Sequence, residues 1–133
     1  MFVYKFMSLK NALVVDDEED ICLLISLALK NQGVKSTTAN SITHGIKLIN
    51  EIEGKLEFAF LDLNLPDGVG FELIPHLRNN HPDCIISIIS AYDGVQERRN
   101  IEQLNIDHFI KKPFSKNQII DIITTYDTEN SSN

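Results

Sequence analysis

Basic residues are scarce in this chain. Its 12 Lys and Arg stand against 19 Asp and Glu, a formal net charge of −7 over 133 residues. A domain that grips nucleic acid needs a basic face, so this deficit argues against direct nucleic-acid binding and permits a site for a cation. Cysteine is nearly absent. Cys22 falls in a helical pattern and Cys84 just before an apolar strand, with no CxxC spacing. Both are expected to be small buried hydrophobes in a reducing compartment, not a disulfide. No apolar run reaches the length of about 18 residues that a membrane-spanning helix needs. The opening stretch MFVYKFMSLK has no long apolar region and no small-residue cleavage site. No signal peptide is therefore expected, and the protein is placed in the cytoplasm. Internal repeats, linkers and low-complexity segments are also missing.

The composition that remains is that of a soluble globular domain, with 43% hydrophobic and 23% charged residues. The length suits one domain and not two. Residues 1–10 are read as an N-terminal extension with Met1 or Met7 as its start, 11–126 as the domain, and 127–133 as a polar, frayed tail.

Along the chain, apolar strands alternate with amphipathic helices. Ala12 to Asp16 (ALVVD) is a short buried strand. Acids crowd Asp17 to Asp20, where a helix dipole favours them. Ile21, Leu24, Ile25, Ala28 and Leu29 then mark a helix that Gly33 ends. Val34 to Ala39 is the least apolar strand and is expected at a sheet edge. Ser41 caps a second helix carrying Ile42, Ile46 and Ile49, and Gly54 closes it. Phe58 to Asp62 is a third strand, followed by a Pro66-Asp67-Gly68 turn. Gly70 to Asn79 reads as a helix in which Pro75 forces a late start or a kink. Ile85 to Ser90 is a fourth strand, Asp93 to about Leu104 a fourth helix, and His108 to Lys111 a fifth strand. Ser115 caps a last helix with Ile119, Ile120, Ile122 and Ile123. Such alternation predicts an α/β, doubly wound (βα)5 three-layer sandwich on a parallel sheet.

Four polar features then fall at carboxyl ends of strands: Asp16-Asp17, Asp62, Ser90 and Lys112-Pro113. In a parallel sheet these ends share one edge, where ligands bind. Each feature alone has a plain structural explanation as a cap, a turn former or a surface lysine. Their convergence on one edge favours a site. His44, His76, His81 and His108 show no metal-ligand spacing and are expected at the surface.

The pattern resembles the receiver family of response regulators. The matching segments are VVDDE (Val14 to Glu18), FLDLNLPDG (Phe60 to Gly68), ISA (Ile89 to Ala91) and IKKPF (Ile110 to Phe114). The resemblance covers about Asn11 to Thr125 and implies a flavodoxin-like, five-stranded parallel sheet in the order 2-1-3-4-5. It implies a phosphorylation-activated signalling switch, not an enzyme with an external substrate. Asp62 is its phosphoacceptor, and Lys112 and Ser90 contact the phosphoryl group. Mg²⁺, or alternatively Mn²⁺, is held by Asp17, Asp62 and the backbone carbonyl of Asn64, with Asp16 acting through water. Phe109 takes the place of a switch aromatic, although core packing explains it nearly as well. The implied partners are a histidine kinase or histidine phosphotransfer protein upstream, and a protein partner, an output domain or a second copy downstream. The output face is expected on the fourth helix, fifth strand and last helix, through Arg98, Arg99, Gln103 and Lys111. The chemistry agrees, because converging carboxylates repel one another and call for a hard cation. A metal-dependent phosphatase is the competing class. Its usual Asp-x-Asp pair is absent, since Asp62-Leu63-Asn64 lacks the second acid. An inert interaction module is a third class, but it would have lost Asp62, Asp17 or Lys112.

Overall fold

The computed structural model describes residues 10–91, 103 and 105–131, with side chains as far as Tyr126. Five strands form one parallel sheet: β1 (Lys10–Val15), β2 (Val34–Ala39), β3 (Phe58–Asp62), β4 (Ile85–Ser90) and β5 (His108–Lys111). Their order is β2-β1-β3-β4-β5, all neighbours parallel. The least apolar strand, β2, does lie at an edge, where one side lacks a strand partner and water can reach it.

Alternation along each strand sorts side chains to two faces. Leu13, Val15, Ala59, Leu61, Ile86 and Ile88 pack against α2 (Ile42–Glu51) and α3 (Ile74–Asn80). Ala12, Val14, Phe60 and Ile110 pack against α1 (Glu19–Asn31) and the C-terminal helix (Lys116–Ser131). The sheet is thus covered on both sides, which is why its central strands read as nearly unbroken apolar runs.

Local signals act where the sequence places them. Ser41 caps α2 by accepting from the His44 amide at 3.1 Å. Asp67 adds a second cap from across the turn, accepting from the Ile42 and Thr43 amides at 2.8 and 3.0 Å. These bonds hold its carboxyl below the usual carboxylate range. Gly33 takes φ 73°, the left-handed residue just past α1. Pro75 produces the late start: Gly70–Leu73 is a 3₁₀ turn, and α3 begins at Ile74 with the proline in its first turn, where a missing N–H does no harm.

Some expectations need correction. β1 spans Lys10–Val15, with Lys10 pairing with Val34, so the first strand begins two residues before the expected Ala12 and ends one before Asp16. The last helix runs on to Ser131, through most of the stretch expected to fray. Polarity does not prevent a helix from continuing, because its backbone bonds are made internally. His81 is not a surface residue. It is buried after α3, with Nε2 3.2 Å from the Ile49 carbonyl oxygen. Both cysteines are free, Cys84 buried and Cys22 half-buried. The expected fourth helix, except Gln103, lies outside the described residues. No helix among the described residues is long and apolar enough to cross a membrane.

Candidate functional site

The sheet register brings the predicted residues together. Asp62, the last residue of β3, pairs with Ile89 of β4, and Ser90 of β4 pairs with Lys111 of β5. The Lys112 amide then donates to the Ser90 carbonyl at 2.7 Å, carrying the ladder one residue past the strand. On the other side the Asp16 amide donates to the Ala39 carbonyl at 3.0 Å, so Asp16 continues β1. Asp16, Asp62 and Ser90 are all buried, whereas Asp17 is exposed. Asp17, Glu18, Asp62, Asn64, Ala91 and Lys112 line a cleft of about 260 Å³.

One carboxylate oxygen from each of Asp16, Asp17 and Asp62 lies within 4.8 Å of the other two. At such distances the acids repel, and burial strips away the water that would screen them. Asp62 is accordingly pushed up to about 6, by burial first and then by the charge of Asp16. Asp16 is raised as well, again by burial first, although the Glu18 amide donates to its Oδ1 at 2.9 Å. Lys112 supplies the compensating charge. Its Nζ is 2.7 Å from Glu18 Oε2, 3.0 Å from Asp16 Oδ2 and 3.6 Å from Asp62 Oδ2. Burial pulls the ammonium down, but together these carboxylates outweigh it and hold Lys112 above the usual lysine value.

The donor set fits a hard divalent cation. Three carboxylates converge, and Asp16 Oδ2 is buried without an aligned hydrogen bond. The Asn64 amide donates to Asp62 Oδ1 at 3.4 Å, which fixes the start of the loop after β3 over the cleft.

Two residues at the site carry roles that the sequence reading did not assign. Glu18 stood inside a quoted motif, but nothing local indicates that it reaches Lys112, 94 residues away. Gly70 closes the loop after β3: its amide donates to the Leu63 carbonyl at 2.8 Å, and a Cβ there would run into the Asp62 carbonyl. A glycine following the turn was the available signal. Leu65 pairs with Gly68 and Asn64 with Val69 in a short antiparallel hairpin that the turn residues did not announce.

Phe109 is half-buried and packs on the core face shared with α2 and α3. Gln103 and Lys111 are exposed, as an outward face requires; Arg98 and Arg99 lie outside the described residues. Cys22 borders the site and donates through Sγ to the Asp16 carbonyl at 3.3 Å. Burial, then the charge of Asp16, pushes its thiol up to about 11, so it is unreactive at neutral pH.

Comparison with known proteins meets this geometry. The family model described as the response regulator receiver domain matches residues 12–124. The chain is 25% identical over 119 residues to the response regulator protein PilR of Pseudomonas aeruginosa, covering 90% of this chain and 26% of that protein. It is 32% identical over 111 residues to the cell cycle response regulator CtrA of Brucella ovis, covering 81% of this chain and 46% of that one. The curated relatives are thus much longer than the segment they share with it. Among solved structures, a response regulator protein from Burkholderia pseudomallei, with a phosphorylated aspartic acid, calcium ion and citrate, superposes with a TM-score of 0.77 at 26% identity, covering 92% of this chain and 71% of that one. A CheY-like receiver domain protein from Methanospirillum hungatei shares the fold with a TM-score of 0.82 at 23% identity, covering 95% of this chain and all of that one.

Proposed function

The chain belongs to the response regulator receiver domain family, a family of signalling domains, and on that premise we propose that Asp62 is its phosphoacceptor. The observation that carries this reading is the place of Asp62, a buried carboxylate ending the central strand β3 and opening on a cleft that also holds Lys112. A carboxylate oxygen of Asp62 attacks the phosphorus of the donor, an O–P bond forms, and the donor leaves with the electrons of the bond it loses. The product is an acyl phosphate. The donor is a histidine kinase or a histidine phosphotransfer protein. Asp17, Asp62 and the Asn64 carbonyl would hold Mg²⁺, or alternatively Mn²⁺, with Asp16 linked through water. Bound there, the cation supplies charge neutralisation for the phosphoryl oxygens.

Lys112 pairs with one phosphoryl oxygen, and the Ser90 hydroxyl donates to another. Drawing Ser90 inward vacates space toward which the Phe109 ring moves, and this repacking carries the signal to the β5 face. Lys111 and Gln103 on that face, together with Arg98 and Arg99, bind a protein partner, an output domain or a second copy, and not DNA. The small side chain of Ala91 leaves the approach to Asp62 open.

Incubation with Mg²⁺ and a small acyl phosphate, followed by intact-mass measurement, tests the assignment. The protein is expected to gain one phosphoryl group and Asp62→Asn none. A gain of the same mass by Asp62→Asn would overturn it.

A further inference from the structure

Lys112 lies against three carboxylates, but only its 2.7 Å contact to Glu18 is an aligned hydrogen bond; Asp16 Oδ2 at 3.0 Å has none, and Asp62 Oδ2 stands at 3.6 Å. A phosphoryl oxygen that takes the ammonium must draw it away from one of these partners. Asp16 is a poor candidate, because its side chain is fully buried and its Oδ2 would lose the cation beside it. Asp62 is the acceptor itself. Glu18 makes the shortest contact, 2.7 Å, yet its side chain is 59% exposed, so water can take it back when it lets go. It stands at the cap position of α1 without making a side-chain cap, so its carboxylate serves no helix bond. Nor is it one of the three acids whose oxygens cluster for a cation. It does line the cleft through which Asp62 is reached.

We propose that Glu18 is a latch on Lys112, a positioning residue that holds the ammonium in the resting state and competes with the arriving phosphoryl group for it. This rests on the reading of Asp62 as phosphoacceptor. The phosphoryl group takes the donor that Glu18 gives up, and Glu18 returns to solvent. Because an exposed ion pair is weak, the latch slows phosphorylation without preventing it. It also raises the threshold below which a poor donor fails to charge the protein.

Two variants separate grip from charge. Glu18→Gln removes the charge. Glu18→Asp keeps it but shortens the side chain by one methylene, so that it no longer spans to Lys112. The rate constant of phosphorylation by acetyl phosphate is read by intact mass at saturating MgCl₂, with folding checked by circular dichroism. Glu18→Gln is expected to raise it about two- to fivefold, the range of an exposed ion pair, and Glu18→Asp to raise it comparably. A rate at or below wild type in Glu18→Gln overturns the latch. So does a gain in Glu18→Gln with Glu18→Asp at the wild-type rate, which assigns the effect to charge alone. Absence of any phosphoryl gain in the wild type removes the Asp62 reading itself, and the latch with it.

Discussion

At the carboxyl ends of β1 and β3, Asp16 and Asp62 are buried beside exposed Asp17, with Lys112 as the cation between them. At the amino ends of β4 and β5, charge is arranged differently. Arg78 donates to the carbonyls of Pro82, Cys84 and Asn105 at 3.2, 2.8 and 2.8 Å, and lies 3.6 Å from Asp107. Asp107 in turn accepts from the Ile86 amide at 2.8 Å. One acid meets one base there, and both tie down backbone. The sheet therefore has one end where polar groups build the fold and one where they strain against it. Acids gathered in this way call for another reason to be there, and the cation and phosphoryl group proposed for the site would supply it.

The largest effect expected from this contrast is at the amino end. Arg78→Ala removes bonds to three carbonyls and leaves Asp107 without its cation. It should destabilise the protein by about 2–3 kcal/mol in urea unfolding. A loss well under 1 kcal/mol would show that this end is no better tied than the other.

At the carboxyl end the sign reverses. Asp62 binds its proton more tightly folded than unfolded, because it is raised from 3.8 to about 6 by burial and by Asp16. Its contribution is favourable at low pH and is lost as pH rises through about 4 to about 6. Without metal near pH 7, Asp62→Asn should be more stable than wild type by about 2 kcal/mol. That gap should close as pH falls below about 4. Denaturation curves in chelator across this window check both; an Asn variant less stable at pH 7 would contradict the strain.

The smallest stability change is expected at Asp17, which is exposed. Asp17→Ala should leave the fold as stable or slightly more so, by a few tenths of a kcal/mol, while lowering Mg²⁺ affinity about tenfold or more. Equal affinity in the two proteins would remove Asp17 from the ligand set.

How much of this could be read in the sequence follows the range of each interaction. Ser41, Gly33 and Pro75 act within a turn of themselves, and the structure finds each in its expected role. The strand pattern located β2, β3, β4 and β5 to the residue; β3 and β4 read as nearly continuous apolar runs because they are buried, whereas β2 at the edge does not. The convergence of Asp16, Asp62 and Lys112 was legible through topology, since the carboxyl ends of parallel strands share one edge, and through the motifs that resemble the receiver family. What escaped depends on tertiary reach. Glu18 finds Lys112 across 94 residues, and Asp67 caps a helix 24 and 25 residues upstream. His81 is buried by α2, whose Ile49 carbonyl it meets, and no feature near it in sequence announces that.

The central claim concerns where the phosphoryl group lands. Borohydride reduction of the protein after acetyl phosphate and Mg²⁺ treatment converts an aspartyl phosphate to homoserine, and tandem mass spectrometry then locates the changed residue. The account predicts homoserine at Asp62 and at neither Asp16 nor Asp17. Reduction at Asp16 or Asp17 with Asp62 unmodified would contradict it.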